Sequence, residues 1–192
     1  MLAWLRQNAQ DRLRAVDLYG AVVAEARRPA FFTDHGVLDT PEGRAGLVIL
    51  MLFPVLEQLQ SGSPRARRFA RYVTETYVTD IDDCLREMGV GDMAVPKKVK
   101  RAAWALGERC HAYAAAAAGP GSAEALATEL AATVPGLDIA PAGAEALARF
   151  ALDVRDALKE VPESELLAGR LPLAPAPERA EISTQDLMET PR

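Results

Sequence analysis

Cysteine and histidine are nearly missing from this chain, with two of each in 192 residues. Cys84 and Cys110 have no near cysteine neighbour, so no zinc or dithiol redox motif can be written. They read as two buried thiols in a reducing compartment. Of the two histidines, only His111 stands in a Glu-x-x-His spacing, after Glu108. A di-iron helical bundle needs that spacing twice. A serine–histidine–acid order, a glycine-rich phosphate loop and a nucleotide fingerprint are all missing. The residues therefore call for no catalytic group, metal or cofactor, and the expectation is a binding protein rather than an enzyme.

Strand signals are scarce too. Runs of alternating valine, isoleucine and threonine do not occur, whereas alanine, the best helix former, dominates. Long apolar runs are also missing. The most apolar stretch, Ala45–Leu56, has 12 residues, against about 20 for a membrane span, and reads as a buried core helix. The opening MLAWLRQNAQDRLRAVD has no apolar stretch behind its basic residues and does not read as a secretory signal; Asp11 and Asp17 argue against a transit peptide.

The net charge of −5 is unevenly spread. Residues 1–101 hold 15 Lys and Arg against 13 Asp and Glu, a net of +2, while residues 102–192 hold 7 against 14, a net of −7. Such a chain is no general nucleic-acid binder, but its first half has the charge for a local basic face.

Helical periodicity accounts for most of what remains. Leu2–Leu13 reads as a short amphipathic helix, and a second is expected from Arg14 to Arg27 with Val16, Tyr19, Val23 and Ala26 on one face. Pro29 stops it. A loop with Phe31 and Phe32 leads to Thr40-Pro41-Glu42, a cap, a first-turn proline and a first-turn acid. The helix this opens is apolar all round, with Pro54 expected to kink it.

After Ser61-Gly62-Ser63-Pro64, a helix from Arg65 to Met88 is expected to bury Phe69, Tyr72, Val73, Thr76, Tyr77, Ile81, Cys84, Leu85 and Met88, and to end at a left-handed Gly89. Pro96 opens the next helix through Tyr113. Ser122 is expected to cap another, ended by Pro135-Gly136. Ala142–Lys159 is the last substantial helix, followed by a turn at Glu163–Ala168. From Arg170 the four prolines of RLPLAPAPERAEISTQDLMETPR suggest a disordered or extended tail. The expected architecture is all-α: a single bundle of six or seven helices over residues 1–169, with a tail at 170–192.

Four clusters are candidate sites. Lys97, Lys98, Lys100 and Arg101 crowd the first turns of a helix, the end whose dipole disfavours cations by roughly 0.3–1 kcal/mol each. Such a conflict points to function, for which the candidate partners are phospholipid head groups, ribosomal RNA or an acidic protein loop. The bland reading is a solvated basic face offset by Asp92 or Glu87. Arg65, Arg67, Arg68 and Arg71 form a second basic cluster, best read as soluble surface. Asp80, Asp83 and Glu87 share a helical face, too little for a metal site. Phe31 and Phe32, with the stretch Gly36–Thr40 and Arg44, are either a partner contact or plugs over the bundle's end.

Three blocks, LYGAVVAEARRPAFFTDHGVLDTPEGR, LFPVLEQL and DIDDCLREMGVGDMAVPKKVKR, together resemble the ubiquinol–cytochrome c chaperone family. The resemblance covers residues 14–115 well and the helices to about 160 loosely. It implies a helical assembly factor for the cytochrome bc1 complex whose client is cytochrome b or its nascent chain. The composition points to a bacterial member; for such a member the resemblance implies a cytoplasmic place peripheral to the inner membrane, and the basic cluster is the expected face for the ribosome or an anionic membrane surface.

Matching positions are Tyr19, Pro29, Gly36, Asp39, Gly43, Arg44, Arg86, Gly89, Gly91, Asp92, Lys97 and Lys100. Ala45-Gly46 replaces an expected aromatic and acid, and Met51 stands where a histidine is common. The expected partner-binding set is therefore Lys97, Lys98, Lys100, Arg101, Asp92, Gly91, Arg44, Asp39, Phe31 and Phe32. The rival reading is a helical carrier or enzyme enclosing a hydrophobic ligand such as a quinone or isoprenoid, and it needs the Ala45–Leu56 helix to line a pocket.

Overall fold

The computed structural model describes residues 2–173 and contains, among them, helices and no strand. Six helices are long: α1 (Leu2–Ala26), α3 (Pro41–Ser61), α4 (Pro64–Glu87), α5 (Val95–Ala116), α6 (Ser122–Thr133) and α7 (Pro141–Glu160). Two are single turns, α2 (Ala30–Thr33) and α8 (Glu163–Leu167).

The punctuation residues act largely as their chemistry requires. Thr40 accepts the Gly43 amide at 3.1 Å and Pro41 begins α3; Ser63 accepts the Ala66 amide at 3.2 Å and Pro64 begins α4. The helix at 122 differs from expectation, because Gly121 at φ +77° is its cap and no side chain bonds there. Helix α3 continues through Pro54 to Ser61.

Helix α3 is the axis of the fold. Leu47, Ile49, Leu50, Met51, Leu52, Phe53, Val55 and Leu56 are all buried, and α1, α4, α5 and α7 pack around them. Full burial stabilises by ~1.5–3 kcal/mol per large apolar side chain, so this segment anchors the hydrophobic core. A histidine at position 51 would sit in that apolar interior, and Met51 suits it better. Gly43 is needed where α3 starts, because a Cβ there would collide with the Leu38 carbonyl.

The first two expected helices are one. Helix α1 runs unbroken and turns Asp11, Ala15, Leu18, Tyr19, Val22 and Ala26 inward. Val16, assigned above to the helix's apolar face, is 53% exposed, and Leu13, expected to end the first helix, is 68% exposed. The real stripe contains a carboxylate. Asp11, 4% exposed, takes a two-pronged bond from Arg65, with Nη2 at 2.6 Å and Nε at 3.1 Å. This assigns Arg65 a structural role, while Arg67, Arg68 and Arg71 are exposed.

Ion pairs and ring contacts fix the directions of the helices. Asp11–Arg65, Arg12–Glu75 and Tyr19–Asp80 advance together, so α1 and α4 run the same way. Tyr19 donates to Asp80 at 2.7 Å, and burial together with that carboxylate raises the phenol's pKa. Phe53 meets Tyr113 edge-on at 6.0 Å. Four residues further along each helix, Arg155 of α7 holds Glu57 at 2.5 and 2.9 Å and donates to the Ala117 carbonyl at 3.0 Å. Helices α3 and α5 therefore run together; α7 runs with them, its Gly143 end lying against the His35 backbone just before α3, and the short Gly62–Ser63 turn reverses the chain from α3 into α4, so these three run opposite to α1 and α4. One end of the bundle collects the C-termini of α1 and α4 with the N-termini of α3, α5 and α7.

One further expectation is corrected, that of the α4 stripe. Burial along α4 fades after Tyr77, leaving Cys84 and Met88 exposed rather than in the core. Cys110 is half-buried, and burial pushes its thiol up to about 12. At the C-terminal side, Leu171 and Leu173 pack against the core, so the chain is still docked past Arg170. The expected tail lies, from residue 174 on, outside the described residues.

Candidate functional site at one end of the bundle

The α4–α5 connection is built by its sequence. Gly89, at φ +75°, closes α4 in a left-handed turn, its amide bonding the Arg86 carbonyl at 2.9 Å and the Val90 amide bonding Leu85 at 3.0 Å. Arg86 then clamps the connection, donating to Asp82 at 2.6 Å and to Asp92 at 3.1 Å. The Gly91 carbonyl accepts the Ala94 and Val95 amides, which starts α5. Val95, at that start, is fully buried.

Gly91 itself is exposed and outside the left-handed region, and a Cβ placed on it would meet nothing within 4 Å. Folding does not demand glycine there.

Lys97, Lys98, Lys100 and Arg101 are all exposed on α5. The first turn of α5 has no acid and its start no side-chain cap. Asp92, suggested above as an offset, is engaged by Arg86 instead. None of the four cations forms an ion pair among the described residues. The dipole conflict inferred from sequence is therefore present without local relief.

Asp39 and Arg44 form an exposed pair at the start of α3, at 2.6 and 3.2 Å, and the guanidinium holds the Asp39 carboxyl below its usual range. Phe31 is not a surface residue. It is buried against Phe150 with ring centroids 5.5 Å apart, which removes it from any contact surface of this fold. Phe32 is half-buried and packs against the core. Both lie on the turn α2, which expectation treated as a loop. The other eight expected partner-binding residues are exposed, and the helix directions bring all ten to the same end of the bundle.

Sequence reasoning missed what surrounds the cations. Met93 is 96% exposed and Trp104 is 71% exposed. Leu38, Met88 and Ile139 are also exposed and lie on the connections at this end. A signal was present. Trp104 falls off the α5 stripe of Val95, Val99, Leu106 and Tyr113, on the face that carries Lys97, Lys100 and Arg101.

The Ala45–Leu56 segment packs as core rather than lining a pocket. A groove of about 190 Å³ opens between α1 and α4, lined by Arg12, Val16, Tyr72, Glu75, Thr76 and Thr79, with no residue from α3. Among the described residues, no three His, Cys, Asp or Glu side chains are grouped to hold a metal ion. No described helix is long and apolar enough to cross a membrane.

Against known proteins, residues 33–174 match the family model described as ubiquinol-cytochrome C chaperone. The crystal structure of the Cbp3 homolog from Brucella abortus is similar to this chain at 32% sequence identity. That likeness covers 91% of this chain and 97% of that one, with a TM-score of 0.78. No curated protein sequence matches.

Proposed function

The chain belongs to the ubiquinol–cytochrome c chaperone family, and from that membership we propose that it assists assembly of the cytochrome bc1 complex by binding cytochrome b or its nascent chain. It acts by holding its client, with no chemical step, at the inner face of the membrane into which cytochrome b is inserted. The observation that carries the reading is the end of the bundle just described. Of the twelve positions in which the sequence resembles the family, Asp39, Arg44, Arg86, Gly91, Asp92, Lys97 and Lys100 lie at that end, the two lysines being among four cations that no described carboxylate neutralises. Unspent charge at a folded surface is available to a partner, where it sets orientation and encounter rate more than raw affinity.

The test is capture from detergent-solubilised membranes of the protein's own organism by the tagged full chain, probed for cytochrome b. Recovery of cytochrome b is expected. In cells, the combined Lys97→Glu, Lys98→Glu, Lys100→Glu and Arg101→Glu variant is expected to block bc1 assembly without lowering its thermal midpoint, since acids suit a helix start. Normal assembly with that variant refutes the role of this face. Recovery of the protein alone, carrying a quinone or lipid visible by mass spectrometry, overturns the chaperone reading in favour of a ligand carrier.

A further inference from the structure

We propose that the outer face of α5 and the tip before it form a lipid-docking surface that seats on an anionic phospholipid bilayer, with Met93 and Trp104 entering the interface. The proposal rests on the chaperone reading for its purpose, since it says where the chain would wait for a membrane-protein client.

Its physics comes from the arrangement of side chains. Lys97, Lys100, Arg101 and Trp104 recur at spacings of three and four along α5, so they share one face. At about 1.5 Å of rise per residue they extend over roughly 10 Å. Met93 projects just beyond the helix start and is almost wholly exposed. Met88 is exposed at the other side of the same connection. With α5 laid along the bilayer, its row of cations meets the phosphates, while Met93 and Trp104, at the two ends of that row, reach past them into the interface. Acyl chains lie deepest, then the tryptophan level, then the phosphates.

Charge favours the same occupant. Four cations without an ion pair sit on α5, whereas Arg28, Arg44 and Arg86 at this end are each paired with a carboxylate, and the acids nearest to α5 in sequence lie on α4 and its connection. Two of those acids, Asp82 and Asp92, are held by Arg86; Asp83 and Glu87 remain exposed. The positive field is thus directional and leaves from the α5 face. Three of its four cations are lysines, which act as point charges rather than planar forks. The groove described above lies between α1 and α4, away from this face. A surface of mobile ammonium groups with projecting apolar side chains suits headgroups that rearrange around it. A folded protein loop would call for a shaped recess.

Sedimentation of the full chain with vesicles tests the proposal. One set contains mixed phosphatidylglycerol and phosphatidylcholine, the other phosphatidylcholine alone. Binding is expected to the anionic set only, and to weaken as salt rises, because exposed charges are screened. Each surface cation contributes about fivefold in affinity, so Lys97→Gln with Lys100→Gln is expected to weaken binding about 25-fold. In a Trp4→Phe background, Trp104 is the sole tryptophan, and its emission is expected to shift to the blue on binding.

Trp104→Ala and Met93→Ser, both at exposed positions, are expected to weaken binding without moving the thermal midpoint. No binding to anionic vesicles, or binding with no change in Trp104 emission, overturns the proposal. So does binding to purified ribosomes by the same cations with no affinity for vesicles. Failure here with cytochrome b still captured from detergent removes the lipid surface and keeps the chaperone. Vesicle binding with no capture of cytochrome b does the reverse.

Discussion

Two glycines of the α4–α5 connection, two residues apart, should respond oppositely to alanine. Gly89 stands at φ +75°, where an L-residue bears strain of about 1–2 kcal/mol. No atom lies within 4 Å of a Cβ built there, so no collision adds to that cost. Gly91 is outside the left-handed region and equally uncrowded. Either substitution also restricts the unfolded chain, which stabilises the fold by ~0.4–1 kcal/mol. That contribution is common to both, so the difference between Gly89→Ala and Gly91→Ala isolates the strain. In a chain of this length, 1 kcal/mol moves the midpoint by about 2–4 °C. Gly89→Ala should therefore melt about 2–8 °C below Gly91→Ala, with Gly91→Ala at or above the parent. Far-ultraviolet circular dichroism during heating measures it. Coincident midpoints, or Gly91→Ala melting lower, would refute the account of the connection. A Gly91→Ala protein that melts normally yet fails to capture cytochrome b would place this glycine in the partner contact.

Arg155→Met should cost ~1–3 kcal/mol, because it strands a half-buried Glu57 and the Ala117 carbonyl at once. Arg12→Met, which breaks the exposed pair with Glu75, should cost under about 1 kcal/mol. Equal losses in urea unfolding would show that the Arg155 clamp is not what joins α3, α5 and α7.

Glu163 accepts the Ser63 hydroxyl at 2.6 Å and its amide at 2.9 Å, and these bonds hold its carboxyl below the ordinary 4.5. A carboxyl held low in the folded state contributes stability above its unfolded pKa and loses it as pH falls through the folded one. The midpoint gap between the parent and Glu163→Gln should thus be full at neutral pH and shrink once pH drops below 4.5. A gap constant across that range would contradict the assignment.

What was legible in the sequence was whatever depends on near neighbours. Thr40-Pro41, Ser63-Pro64 and Gly89 set helix ends through groups three to five residues away, and the sequence displays them. The all-apolar α3 announced its own burial. The misreadings share a cause, which is reliance on apolar spacing where another group decides. In α1 the inward stripe passes through Asp11, whose charge is met by Arg65, 54 residues away. A hydrophobic count skips that position and prefers Leu13 and Val16, which face outward. Cys84 and Met88 continue the α4 stripe in spacing, but the bundle ends before it reaches them.

The candidate site divides the same way. Its cations and their helix were visible as a run, and its family-like glycines and acids as motifs. That Asp39 and Arg44 share an end with Lys97 follows only from helix directions, which distant contacts such as Phe53–Tyr113 decide. Met93 and Trp104 were overlooked because an apolar residue in a helical region is usually core.

The position of α3 in the chain also governs how the protein can be made. Of the four long helices that surround it, only α1 is synthesised earlier; α4, α5 and α7 follow. While translation proceeds, the most water-averse segment of the polypeptide therefore emerges with one wall of its enclosure in place, exposed to adhesion and misassembly. The last wall arrives with α7, and Arg155 latches it to Glu57 across 98 positions of sequence. A ribosome stalled before that point would hold a product that cannot close, so this protein should itself depend on prompt completion or on protection during its synthesis.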